Sequence, residues 1–199
     1  MANILNIKTS ILGEHSVSNK LSQIVINQLL EKNPDSKVVV RDLGSNPFPH
    51  LEFHHFNALK IADGEKNEAE KESAKYSEAA LKEIQNADII VIGVPFYNFN
   101  IPSTLKSWID HISIAGKTFS YENGILKGLL ENKKVYLNFA IGGVYEQKEI
   151  IDNIESYLKT LLGFIGITDI EVFRSEGTSI PEIKDVNFSK TIAEIEATV

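Results

Sequence analysis

The segment Ala87-Asp88-Ile89-Ile90-Val91-Ile92-Gly93-Val94, closed by Pro95, constrains this chain more than any other. It is nearly continuously apolar, the pattern of a central strand covered on both faces of a parallel sheet. Four further runs, at 4–8, 37–42, 133–141 and 167–173, read as its companion strands. Helical spacings lie between them. Leu21, Ile24, Val25 and Leu29 form one stripe; Leu105, Trp108, Ile109 and Ile112 form a second. Ile150, Ile154, Tyr157, Leu158 and Leu161 form a third, and Phe188, Ile192, Ile195 and Val199 a fourth. Residues 67–86 read as a more polar helix feeding the central strand. These stripes are expected to be core, with no chemistry of their own.

Strands alternating with helices imply right-handed crossovers and a doubly wound parallel α/β sandwich, with helices on both faces. Five strands favour the flavodoxin-like order 2-1-3-4-5 over a six-stranded dinucleotide fold. Residues 1–199 are expected to form one domain, with 44–64 the only long irregular connection.

Composition removes several classes of function. Cysteine is absent, which excludes disulfides, thiolate metal sites and a cysteine nucleophile. Acidic residues number 27 against 20 basic ones, a formal charge of −7, so nucleic-acid binding is not expected. The basic residues are 18 lysines and only two arginines, Arg41 and Arg174. An anionic ligand would therefore be held mostly by something other than guanidinium. No apolar run approaches the ~18 residues of a membrane span. The N-terminal residues are too polar for a signal-peptide core, and the cytoplasm is the expected location.

In a doubly wound sheet, ligands sit beyond the carboxyl ends of the strands, near the switch point. Three loops there are suited to a ligand. Residues 9–19 lack a dinucleotide fingerprint but supply Thr9, Ser10, Ser16, Ser18 and Asn19 at the mouth of a helix. Hydroxyls and free amides at a helix N-terminus can cradle a phosphate without arginine. The plainer alternative is that Ser18 only caps the helix. Pro95-Phe96-Tyr97-Asn98-Phe99-Asn100-Ile101-Pro102 follows the central strand. Its prolines stiffen the backbone, and its aromatics offer a surface for a flat heterocycle. Ala140-Ile141-Gly142-Gly143-Val144-Tyr145 ends the fourth strand, where paired glycines allow close approach and positive φ.

Other motifs fall away. Gly116-Lys117-Thr118 lacks the earlier glycine and the preceding strand of a P-loop. His50, His54 and His55 have no partners at metal spacing, so no metal site is expected and these histidines should face solvent. Val94-Pro95 occupies the place where a phosphoacceptor receiver domain needs a carboxylate, and there is no G-x-S-x-G elbow.

Taken together, the loops resemble those of the bacterial FMN-dependent NADH-azoreductases, a branch of the flavodoxin-like NAD(P)H:quinone oxidoreductases. The resemblance covers nearly the whole chain. It is carried most specifically by residues 95–102 and by Leu162-Gly163-Phe164-Ile165-Gly166-Ile167, and more softly by Thr118-Phe119 with Tyr121-Glu122-Asn123-Gly124. It implies that Ser10, Ser16, Val17, Ser18 and Asn19 hold the FMN phosphate. Pro95, Phe96, Tyr97, Asn98 and Phe99 would line the isoalloxazine, while Gly142, Gly143 and Tyr145 would meet its pyrimidine end. It implies a homodimer in which Tyr121 and Phe164 wall the partner's pocket. Asn98, Tyr121 and Tyr145 would act as orienting groups, with no certain catalytic residue. The implied activity is ping-pong hydride transfer from NADH or NADPH to quinones and aromatic azo compounds.

The chain departs from that family at Ala140-Ile141, where relatives usually keep a polar residue and often arginine, and at Tyr145, where histidine is common. Weaker flavin binding or a shifted potential is the expected consequence. A flavin-binding electron carrier without nicotinamide turnover, or a cofactor-poor binding protein, are the alternatives.

Overall fold

Five apolar runs become one parallel sheet in the order β2-β1-β3-β6-β7. The strands are β1 (Asn3–Lys8), β2 (Lys37–Asp42), β3 (Ile89–Pro95), β6 (Lys134–Ile141) and β7 (Asp169–Glu176). The computed structural model describes residues 1–147 and 149–199, and for Asp63 the backbone alone. Omitting the hairpin described below, the order is the expected 2-1-3-4-5. The last strand runs three residues past the expected end at 173, because its register with β6 continues through Ile141 and Glu176.

Among the described residues the α-helices are α1 (Val17–Lys32), α2 (Phe53–Ala58), α3 (Glu68–Asn86), α4 (Ser103–Ile112), α5 (Glu149–Phe164) and α6 (Lys184–Thr198); α2 packs on α3 and the others cover the sheet. Period-2 alternation divides each central strand between two layers. Leu5, Ile92, Leu137, Phe139 and Ile141 face α3, α4 and α5. Ile4, Val91, Tyr136 and Phe173 face α1 and α6. Side chains of this size contribute about 1.5–3 kcal/mol each when fully buried. The expected double winding is thus present.

Three local expectations need correction. The 44–64 connection is not wholly irregular, because Glu52 and His55 form a reciprocal capping box that starts α2. For that reason His55 is buried rather than solvent-facing, while His54 is exposed. The third helical stripe is also shifted. Ile151, Ile154, Leu158 and Leu162 are the buried positions of α5, leaving Ile150, Tyr157 and Leu161 half-buried at its side. Both sets satisfy helical spacing; the sheet selects the first, and the neighbouring α4 leaves the second at a groove.

An antiparallel hairpin was not expected. It comprises β4 (Phe119–Glu122) and β5 (Ile125–Gly128), turning through Asn123 and Gly124 at φ of 52° and 80°. Asn-Gly between short strands is the strongest local hairpin signal, and it was legible in the sequence.

Candidate functional site

All five sheet strands run the same way, so the loops after β1, β3, β6 and β7 share one edge. At the first, Ser16 caps α1 by accepting from the Asn19 amide at 3.2 Å. Ser16, not Ser18, is therefore the cap. Ser18 is fully buried and its hydroxyl meets that of Ser16 at 3.0 Å, bracing it from behind. The cap leaves the first amides of α1, those of Val17 and Ser18, aimed out of the helix end. Asn19 reaches back through Nδ2 to the Gly13 carbonyl at 3.2 Å, closing the short turn that precedes the helix. Thr9 donates to the Gly93 carbonyl at 2.6 Å and ties this loop to the central strand.

The loop after β3 is a two-residue turn. Tyr97 and Asn100 exchange both backbone hydrogen bonds at 3.0 Å, and Asn98 and Phe99 take φ of 49° and 63°. Positive φ at both central positions is the geometry of a tight hairpin turn, tolerated by Asn but strained for Phe. Such strain persists where the surroundings over-determine it, commonly at ligand clamps. Pro95 ends β3, and the Phe96 amide continues the ladder to the Ala140 carbonyl at 2.9 Å. Prolines stiffen this loop as expected, but the turn was not legible, because Phe is a poor residue for it.

At the end of β6, neither Gly142 nor Gly143 adopts positive φ. What they provide is room. A Cβ at Gly142 would stand 3.0 Å from Ser179 Oγ, and one at Gly143 would meet the Tyr145 ring at 3.5 Å. Tyr145 packs with Phe96 and Phe99, with ring centroids 5.6 and 5.9 Å away, so two loops build one aromatic cluster. The Ala140 and Ile141 side chains are buried, Ile141 in the core against α5. Residues 177–179 hydrogen-bond to 141–143, bringing the hydroxyls of Thr178 and Ser179 to this edge, a contribution the sequence reading missed.

The edge therefore combines free amides, hydroxyls, an aromatic cluster and open glycines. Both arginines are engaged elsewhere: Arg41 holds Glu83, and Arg174 holds Glu155 and Asp152. Residues 2–199 match the family model described as a flavodoxin-like fold. The FMN-dependent NADH:quinone oxidoreductase of Herminiimonas arsenicoxydans is 41% identical over 182 residues, covering 90% of this chain and 89% of that one. The chain belongs to the FMN-dependent NADH:quinone oxidoreductases.

Two solved structures agree with this family. The azoreductase of Bacillus anthracis str. Sterne superposes with a TM-score of 0.87 at 28% identity, over 99% of this chain and 98% of that one. The FMN-dependent NADH-azoreductase of Bacillus anthracis str. Ames Ancestor, solved in complex with FMN, gives a TM-score of 0.83 at 25% identity, over 99% of each chain.

In this oxidoreductase Tyr121 and Phe164 do not join the other predicted site residues. The hairpin lies between the end of α4 and the start of β6, and Phe164 ends α5 just before β7. Both therefore stand at the amino edge of the sheet, opposite the three loops. They form their own cluster through Phe119, whose ring is 4.5 Å from Phe164 and 5.9 Å from Tyr121. The Leu162–Ile167 motif explains the placement. Gly166, at φ 105°, ends α5, and the Ile167 amide returns to the Leu162 carbonyl at 2.8 Å. Gly128 of the hairpin then crosses Gly166 so closely that a Cβ on it would lie 2.1 Å from the Gly166 nitrogen. Tyr121, Ile125 and Leu126 are left exposed on the hairpin.

A groove of about 870 Å³ separates α4 from α5, lined by His50, Phe99, Lys106, Ile150, Tyr157 and neighbouring residues. Burial pushes the Tyr157 phenol above its usual pKa. Phe99 thus belongs to both the aromatic cluster and the groove. Among the described residues, no helix is long and apolar enough to cross a membrane.

Proposed function

We propose that the chain, acting over residues 1–199 as one FMN-binding unit, catalyses FMN-dependent reduction of quinones and aromatic azo compounds by NADH or NADPH. The observation that carries this reading is the meeting, at one sheet edge, of a helix start with free amides and a strained aromatic turn. The donor set suits a phosphate monoester: neutral hydroxyls and amides at a helix N-terminus, with no guanidinium required. Ser10, Ser16 and the Val17 and Ser18 amides hold that phosphate, with Asn19 shaping the turn and Ser18 bracing Ser16. Pro95, Phe96, Tyr97 and Phe99 line the ring, and Asn98 presents its amide to the ring's polar edge. Gly142 and Gly143 give the ring its close approach, beside Tyr145. When bound, FMN supplies the capacity to accept a hydride from one partner and return it to another.

The protein's part is placement. Phe96, Phe99 and Tyr145 exclude water from one side and offer a flat surface. A nicotinamide and then a flat acceptor occupy the same place beside Phe99 in turn, which predicts ping-pong kinetics. Tyr121 and Phe164 stand too far along the sheet to serve their own chain's ring, so a second copy brings them to it. The exposed apolar hairpin and the α4–α5 groove supply the surfaces of such a homodimer. The use of reduced nicotinamide supports a cytoplasmic location.

Purified protein reconstituted with FMN should reduce a soluble quinone at the expense of NADH, with parallel double-reciprocal lines. Absence of turnover with both NADH and NADPH overturns the reading. Flavin that stays oxidised when NADH is mixed in a stopped-flow experiment would instead support an electron carrier.

A further inference from the structure

The layer beneath α1 changes character along its length. In its lower part Leu21, Val25 and Leu29 pack on Ile4, Val91, Tyr136 and Phe173. Two residues further along the same strand faces stand Asn6, Gly93, Asn138 and Ser175, with both asparagines and the serine buried. Asn138 is fully buried opposite Gly93 in the β3–β6 register. Its Nδ2 donates to Ser22 Oγ on α1 at 3.3 Å, while its Oδ1 has no hydrogen-bond partner among the described residues. The Oδ1 atoms of Asn6 and Asn19 and the Ser175 hydroxyl are also buried without partners among the described residues.

Stability alone does not account for this arrangement. A buried polar atom without a partner opposes folding, and an apolar side chain in its place would extend the apolar layer. What an apolar contact lacks is direction. The helix rests closely here: a Cβ on Gly93 would meet Ser22 Oγ at 3.2 Å and Asn19 Oδ1 at 3.3 Å. A hydrogen bond to Ser22 fixes the rotation and height of α1 on that contact. One helical turn earlier Ser18 braces Ser16, which caps the helix at the Asn19 amide.

We infer that Asn138 is a positioning residue for phosphate recognition. From β6, beside the central strand, it holds α1, through Ser22, in the orientation that aims the amides of Val17 and Ser18 at a phosphate monoester. The inference rests on the proposed assignment of the α1 start as the FMN phosphate site.

The test compares FMN with riboflavin, which carries the same ring without the phosphate. Full-length Asn138→Leu should bind FMN about tenfold more weakly, the equivalent of one lost hydrogen bond to a charged group. Riboflavin affinity, read by the same fluorescence titration, should be unchanged, and the melting temperature of the flavin-free protein should not fall. Ser22→Ala removes the same bond from the helix side without enlarging a strand residue, and should give the same selective loss if Asn138→Leu does not fold. A parent that prefers FMN, with that preference untouched in the folded variants, overturns the inference alone. So does equal weakening of both ligands. A parent that binds riboflavin as tightly as FMN overturns the phosphate assignment and the inference with it.

Discussion

The hydroxyls of Ser10 and Tyr97 lie 3.0 Å apart, joining the loop after β1 to the turn after β3 across 87 positions of sequence. Ser10 also accepts from the Leu12 amide at 3.2 Å, so one serine shapes its own loop and holds the other. Tyr97→Phe keeps the ring and removes the bridge. A net hydrogen bond contributes about 1 kcal/mol, so FMN affinity should drop roughly fivefold with little change in melting temperature. Fluorescence titration alongside thermal unfolding checks both halves.

Phe99 combines a φ of 63° with 61% exposure, so it stores strain while burying little surface. Phe99→Gly should stabilise the fold or leave it unchanged, because relief of about 1 kcal/mol offsets the added freedom of the unfolded chain. Quinone turnover should fall, since the aromatic wall beside Tyr145 is lost. Chemical denaturation and steady-state kinetics on one preparation separate the two effects.

Gly128→Ala places a methyl group against backbone rather than against a movable side chain. The crossing of Gly128 over Gly166 must open, at a cost of about 1–3 kcal/mol. A lower denaturation midpoint with unchanged slope is expected. A wild-type midpoint would mean that the hairpin does not cross the end of α5 this tightly.

His111 is fully buried; Ser77 Oγ lies 2.6 Å from its Nδ1, and its Nε2 donates to the Pro49 carbonyl at 3.1 Å. Nearby, the His55 and His54 rings lie 3.9 Å apart, tilted by 38°. Burial pushes His111 and His55 below the ordinary value of 6.5; for His111 the Pro49 carbonyl opposes and His55 adds to the shift. For His55 the His54 ring adds to the shift and Glu52 opposes it. A histidine base with depressed folded-state pKa binds fewer protons folded than unfolded. Stability is therefore full above pH 6.5 and is lost as pH falls below it toward the folded values. Each histidine contributes at most about 1.4 kcal/mol per pH unit in that window. His111→Gln should flatten the profile of melting temperature against pH between 7 and 5, as measured by circular dichroism.

Tyr121 and Ile125 are 64% and 73% exposed on the hairpin. Ile125→Glu should abolish the proposed homodimer without unfolding the chain, and quinone reduction should fall with it. Light scattering after size exclusion gives the mass, and a dimer of unchanged strength would remove the hairpin from the interface.

The five sheet strands were legible because each is a local apolar run, and a parallel sheet needs near-continuous ones. The site loops followed, since chain direction alone sends residues 9–19, 95–102 and 140–145 to one edge. Less was legible where local signals competed. Ser16 and Ser18 are equivalent as caps in sequence, and both are buried; only the folded backbone, which starts α1 at Val17, makes Ser16 the cap. Ile150 and Ile151 satisfy the same helical period, and only the presence of α4 decides which of them lines a groove.

Periodicity, turn chemistry and composition belong to neighbours in the chain, and they determined the sheet, its order, the cysteine-free and arginine-poor character, and the loops able to take an anionic ring. Tertiary structure decided what depends on distant partners: the strain held at Phe99, the engagement of Arg41 and Arg174, the crossing of Gly128 over Gly166, and the buried bond from Asn138 to Ser22. None of these has a local signature, because each exists only once two segments far apart in sequence have been brought into contact.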